Sequence, residues 1–232
     1  MPIIKTIING NKIEYDNTEF EILEDSEKVY LHYIGDGFNI TNPNGNISCY
    51  KMFKNFEGIS LDLSNFDTKN ITDMFSMFEG CVNINYLNLS NFNTKNVIDM
   101  NGMFFNCANL EILDLSKFNT SKVIDMDSMF WLCKNLKSLN LSNFNTDKVK
   151  KMDCMFGLCD NLWELDISNF NIPMSKIPYN IFAYCKNIEK IKVNSDFFQF
   201  FSEHKNTLFE DCKNVTIISV NKTDRIIKEL FY

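Results

Sequence analysis

The chain has 232 residues, with 30 acidic against 23 basic side chains and a net charge of −7. The Lys and Arg residues form no cluster, so the electrostatic footprint of a nucleic-acid binder is missing. No stretch approaches the roughly 18 consecutive apolar residues that span a bilayer as a helix.

The first residues, Met1 to Asp16, have no uninterrupted apolar run before Asn9, Asn11 and Lys12 and no small-residue cleavage site, so no secretory signal is expected. Ile3–Ile8 and Lys12–Tyr15 flank Asn9-Gly10, a hairpin signature. The alternation Val29, Leu31, Tyr33 predicts a further strand, and Asn42-Pro43-Asn44-Gly45 a turn. Residues 1–50 are therefore expected to form a β-rich N-terminal cap, because the first coil of a stack otherwise exposes its apolar face.

Residues 51–194 are the repeat region, and from Leu61 to Lys190 the period is 26 with no insertion or deletion. The unit reads L-[DN]-L-S-[NK]-F-[DN]-T, a variable stretch, then M-x-x-M-F-x-x-C-x-N-[LI]; its first residue recurs at Leu61, Leu87, Leu113, Leu139, Leu165 and Ile191. A period of 20 to 29 with an L-x-L core is that of a leucine-rich-repeat solenoid. The two Leu of L-x-L face the core of a short strand and the residue between them faces out. The Phe row at 66, 92, 118, 144 and 170 is expected to stack inside, and Ser64, Ser90, Ser116, Ser142 and Ser168 to satisfy the following turn. In the second half of the unit apolar residues fall at i, i+3, i+4, i+7 and i+10, which is helical spacing. Helices are about 10 Å wide and paired strands about 4.8 Å apart. The expectation is an α/β repeat solenoid, a right-handed coil with short parallel strands on its concave side and short helices or turns on its convex side. Residues 195–232 read as a degenerate last repeat followed by a C-terminal cap helix carrying Ile226, Ile227, Leu230 and Phe231 behind an Asp224 N-cap.

The phrases LDLSNFDTKNITDMFSMFEGC, LNLSNFNTKNVIDMNGMFFNC and LDLSKFNTSKVIDMDSMFWLC resemble the BspA-like leucine-rich repeat family, and within it the Met-Phe-Cys repeat variant of mycoplasma- and lactobacillus-type surface proteins. The resemblance covers about residues 50 to 220. It implies a solenoid, commonly on cell-surface proteins, with adhesion or host-protein binding as its use and no catalytic residues. The chain departs from that pattern in carrying no visible export signal or wall anchor.

The repeat absorbs most residues that look chemically suggestive. Cys81, Cys107, Cys133, Cys159, Cys185 and Cys212 occupy one column. They lack the paired C-x2-4-C spacing of a metal site. Ladder neighbours on a helical side are expected beyond the roughly 7 Å Cα limit for a disulfide. Buried free thiols, in keeping with a reducing compartment, are the expectation; the surface location implied by the resemblance is the alternative. The Met columns read as core filling, and Asn83, Asn109, Asn135, Asn161, Asn187 and Asn214 as bonds between coils. His32 and His204 stand alone and there is no Gly-rich phosphate loop, so no enzyme, metal or cofactor is expected. Two features remain for function. One is the outward strand row Asp62, Asn88, Asp114, Asn140 and Asp166. The other is a set of out-of-pattern apolar residues, Phe105 and Trp131 after the Met-Phe pair and Tyr86, Ile112 and Trp163 before the strands, where exposed aromatics mark interfaces. These residues point to a protein-binding scaffold of unidentified partner; a self-associating structural repeat is the alternative.

Overall fold

The computed structural model describes residues 49–64, 66–171 and 178–220 with their side chains, and the backbone alone in 4–8, 11–15, 20–25, 28–33, 47–48 and 226–231. The Asn9-Gly10 and Asn42–Gly45 turns, Pro173 and the Asp224 cap fall outside these residues. The chain winds into a parallel-strand β-solenoid of about six turns.

Strands β1 (Ile4–Ile8) and β2 (Asn11–Tyr15) form the expected hairpin. Strand β3 (Phe20–Asp25) pairs antiparallel with β4 (Lys28–Tyr33), and β4 lies parallel to β6 (Ser60–Asp62) with Leu31 opposite Leu61. Between them comes β5 (Ile47–Ser48), parallel to β7 (Ile71–Asp73). The L-x-L segments then supply β8 (Tyr86–Asn88), β9 (Ile112–Leu113), β10 (Ser138–Leu139), β11 (Glu164–Asp166) and β12 (Lys190–Val193), one per coil, counted here as coils two to six. Register follows the repeat, with Leu61 opposite Leu87 and Leu165 opposite Ile191. A second ladder runs through β5 and β7 and the bridges Asp73–Asp99, Asp99–Asp125 and Asp125–Lys151.

The Met-Phe-Cys segment is where helical spacing misleads. It folds as successive tight turns. Met77 N–H closes on Met74 O and Glu79 N–H on Ser76 O, while the alternate amides, Phe78 and Gly80, donate to Met103 O and Phe105 O of the next coil at 2.8 and 2.7 Å. A left-handed residue recurs within each pair of turns, at Ser76, Gly102, Ser128, Cys154 and Asn180 and again four residues on at Gly80, Asn106, Leu132, Leu158 and Tyr184. A backbone that turns left-handed every fourth residue cannot be an α-helix, yet it returns side chains to the core at i, i+3, i+4 and i+7. With hydrogen-bonded coils on this side too, the mismatch between helix and strand widths does not arise. Phe78, Phe104, Phe130 and Phe156 stack face to face with centroids 5.5, 5.7 and 5.6 Å apart.

One continuous core results. The Met and Phe columns and the Phe66 row are all buried. So are Thr68, Thr94, Thr120 and Thr146, the threonines that close the first half of each unit. Each hydroxyl donates to a main-chain carbonyl of the next coil and accepts that residue's N–H: Thr120 Oγ1 to Asn145 O and Asn145 N–H to Thr120 Oγ1 are both 2.8 Å.

The C-terminal end corrects the sequence expectation. Ile226–Phe231 is a strand, β14, and not a cap helix; it pairs antiparallel with β13 (Thr216–Val220), which is parallel to β12. The open edge of β13 offers main-chain partners that an isolated helix of this length lacks, and Ile226-Ile227 is β-branched. The helix at this end is instead the Phe-rich stretch: α1 (Ser195–Glu203) has Asn194 as N-cap, accepting from Phe197 N–H at 3.0 Å, and buries Phe197, Phe200 and Phe201. A one-turn helix, α2 (Lys205–Leu208), follows.

Candidate functional site

The strand ladder presents its outer face through the residues on either side of the buried Leu column. The row Asp62, Asn88, Asp114, Asn140 and Asp166 lies there as expected, and the structure shows what holds it. Each Oδ1 accepts the N–H two residues on, from Ser64, Ser90, Ser116, Ser142 and Ser168, at 2.8 to 3.1 Å. The carboxylate or amide therefore satisfies the turn, a role the sequence reading gave to the serines. That bond, with help from the Ser116 hydroxyl, holds the Asp114 carboxyl below the usual range. Asp166 also lies 4.0 Å from Lys192, which binds Glu164 at 3.2 Å.

Of the five out-of-pattern apolar residues, the structure brings two together in the open. Tyr86 is 53% exposed and Ile112 71%. They occupy one outer column in adjacent coils, where Ser60 and Ser138 stand on either side. With Asn85, Asn88, Ser90, Glu111, Asp114 and Lys117 they line a groove of about 640 Å³. Trp163 is exposed as well, but lies one residue earlier in its coil and two coils away. Asn140 and Asp166 do not reach the groove.

Phe105 and Trp131 are not exposed aromatics; both are half-buried. The Trp131 indole lies over the α-carbon of Gly157 one coil on, so that a β-carbon there would run into the ring. Absence of a side chain at 157 is what lets the tryptophan fold down. Gly157→Ala is expected to cost about 1–3 kcal/mol by overpacking, seen as a lowered denaturation midpoint with Trp131 emission shifted to the red in a Trp163→Phe background. An unchanged spectrum would mean the indole does not sit on residue 157.

A second apolar pair was missed. Ile98 and Ile124 are 44% and 37% exposed on the other ladder, joined by Ile124 N–H to Ile98 O at 2.8 Å. The signal was present: polar Thr72 and Lys150 hold the same position in neighbouring coils. Beside them run Asp73, Asp99 and Asp125, with Lys151 bound to Asp125 at 2.8 Å. Partial burial, reinforced by Asp125 and Asp73, pushes the Asp99 carboxyl up to about 6 against the opposing Asn101 N–H and Lys151. Between about pH 4 and 6 the folded chain keeps a proton that the unfolded chain has released, so stability falls as pH rises through that window. Asp99→Asn is therefore expected to raise the thermal midpoint at pH 7.5, by about 1 kcal/mol once solvent screening is discounted, and to leave it nearly unchanged at pH 4. An equal shift at both values would refute a charge origin.

The cysteine column is buried from Cys81 to Cys185 and half-buried at Cys212, and all eight thiols are free. The distance argument against disulfides does not hold, since turn columns repeat at main-chain hydrogen-bond spacing and not at helix spacing. Each ladder thiol instead donates to a Phe carbonyl of the preceding coil, as Cys107 to Phe78 O at 3.2 Å and Cys133 to Phe104 O at 3.1 Å. Burial pushes the Cys133 thiol up to about 12 and the less buried Cys212 to about 11. The Asn column bonds between coils, Asn83 to Glu57 O and Asn187 to Asp160 O, with Asn135 and Asn161 bonding side chain to side chain. Among the described residues no group of His, Cys, Asp or Glu has metal-binding geometry, and no helix is long and apolar enough to cross a membrane.

A parallel solenoid with repeating columns of Met, Phe, Cys and Thr inside and a grooved strand ladder outside defines a repeat-solenoid protein. Its sequence places it more narrowly. The chain belongs to the family described as Mycoplasma protein of unknown function, DUF285, which matches residues 47–139 and 109–222. No curated protein and no solved structure matches the chain.

Proposed function

We propose that this protein is a non-enzymatic scaffold, of the BspA-like leucine-rich repeat kind, that binds another protein through the outer face of its strand ladder at coils two and three. The observation that carries this is Tyr86 and Ile112, side by side and more than half exposed, over a groove lined by residues of both coils. Large apolar side chains on a polar, repetitive surface cost solubility and are the usual anchors of interfaces. The absence of catalysis is supported by how the polar residues of the groove are engaged: Asn88 and Asp114 cap their own turns and Glu111 is bound by Lys137 at 2.6 Å.

The test compares the native chain with Tyr86→Ser/Ile112→Ser, which extends the serines of the same column. Both are immobilised at equal density and exposed to extract of the source cells, with bound proteins quantified. The expected result is loss of the specifically captured species from the double variant, whose thermal midpoint stays within about 1 kcal/mol of native, the range of exposed substitutions. Identical capture by both would reject the assignment.

A further inference from the structure

The strand ladder is not continuous. Coil one bonds to coil two through Leu63 N–H to Asn88 O at 3.0 Å and Asn85 N–H to Ile59 O at 2.8 Å. One coil on, the counterparts are missing: among the described residues Leu89 N–H makes no bond to Asp114 O, and Glu111 N–H none to Asn85 O, and β8 and β9 do not pair. Pairing resumes between β9 and β10, where Lys137 N–H meets Glu111 O at 3.0 Å. It lapses again between β10 and β11. The buried Leu column records both seams, since Leu87 and Leu139, which precede them, are 8% and 7% exposed while Leu61 and Leu165 are 0% and 1%. The turn side stays bonded across the first seam, through Phe104 N–H to Met129 O at 3.0 Å, and Phe92 stays stacked on Phe118 at 6.2 Å. The seam is thus a local opening of the outer face and no break in the solenoid.

The groove beneath Tyr86 and Ile112 lies on the first seam, lined by residues 85–90 of one coil and Glu111, Ile112, Asp114 and Lys117 of the next. We propose that it docks an extended segment of a partner polypeptide that carries an aromatic or branched aliphatic residue beside a lysine or arginine. Three features select this occupant. Leu89 and Glu111 N–H and Asn85 and Asp114 O, on the residues along the two walls, have no main-chain partner among the described residues, and an extended peptide carries donors and acceptors of that kind along its own backbone. Tyr86 and Ile112 form an apolar cleft for one large side chain. The charge is complementary: Asp114 takes part in no ion pair among the described residues, its one cationic neighbour in the groove is Lys117, and the whole chain carries −7. The volume of about 640 Å³ falls within the range of about 300–1,000 Å³ usual for ligand sites. The second seam has unpaired main chain but not the apolar pair, its outer column holding Ser138 and Glu164, and serves as an internal control.

This inference rests on the scaffold reading and narrows it. A displayed library of random twelve-residue peptides is selected on the full chain, and synthetic copies of the enriched peptides are titrated against it. The expected result is one enriched family with an apolar anchor flanked by Lys or Arg. Tyr86→Ser/Ile112→Ser is expected to weaken its binding about tenfold or more, Asp114→Asn about threefold to fivefold, and N-methylation of the amides beside the anchor about tenfold. Ser138→Ala in the control seam is expected to leave binding unchanged. Failure to enrich a family, or binding indifferent to the double variant or to N-methylation, would overturn the proposal. Binding of an oligosaccharide panel lost in the same variant would assign the groove to a sugar, and an oligomer in light scattering abolished by that variant would assign it to a second copy; either overturns it. If capture from extract depends on Tyr86 and Ile112 but no peptide binds, the scaffold reading stands and the peptide site falls.

Discussion

Phe130→Ala is expected to destabilise the solenoid by about 3–5 kcal/mol. Phe130 is fully buried between Phe104 and Phe156, at 5.7 and 5.6 Å, so its removal leaves a cavity and breaks the aromatic column in the middle. In a stacked-coil protein each unit contacts only its neighbours, and stability is a sum of unit and interface terms. Weakening two interfaces at once should therefore separate the array into two parts. Urea titration followed by hydrogen exchange is expected to show coils two to four opening before the ends, with a denaturation slope smaller than that of the native chain. A single cooperative transition with unchanged slope and a midpoint shift worth under about 1 kcal/mol would mean that the column is not under this load. Phe130→Leu, which keeps most of the volume, is expected to lose less than half as much.

How much of this was legible in sequence depends on whether the signal lay in the repeat or in its conformation. The columns were legible because a 26-residue period assigns the recurring Leu, Phe, Met and Cys of the unit to inward positions, and from Leu61 to Cys185 those residues are buried. The turns were not, because apolar residues at i, i+3, i+4 and i+7 fit a helix and a chain of four-residue turns equally well. The discriminating residues were Asn55, Gly80 and Asn106, which tolerate a left-handed backbone at one position of successive units, but Leu132, Leu158 and Tyr184 occupy that position in later coils and obscured it. Inter-coil bonds such as Leu132 N–H to Gly157 O at 3.0 Å help hold such residues in a conformation they disfavour alone. In the candidate site, Tyr86 and Ile112 were found as departures from a polar column. Phe105 and Trp131 were found by the same logic and misplaced, since what covers Trp131 over is the missing side chain of Gly157, a relation between coils that one unit does not reveal. The seam has no sequence signature: L-N-L-S in coil two and L-D-L-S in coil three are the same strand twice, and pairing is lost in the main chain.

Thr120→Val tests the least conspicuous element of the repeat. Its hydroxyl, with the residue 1% exposed, joins coil three to coil four twice over, donating to Asn145 O and accepting from Asn145 N–H. Valine keeps the shape and removes both bonds, leaving a main-chain donor and an acceptor without partners beside the core. Each unmet buried group costs about 1–3 kcal/mol, so a loss of about 2–4 kcal/mol is expected for the pair. Serine keeps the hydroxyl and loses only a methyl group, so Thr120→Ser is expected to cost about 1 kcal/mol. The ordering Val worse than Ser is the informative result, since size alone predicts the reverse. The same exchange at Thr68, Thr94 and Thr146 should give the same order, because each hydroxyl makes the equivalent donor bond at 3.1, 3.0 and 2.7 Å. If valine at position 120 matches or exceeds the native midpoint, the hydroxyl is not what locks one coil to the next, and the recurrence of threonine at 68, 94, 120 and 146 needs another cause.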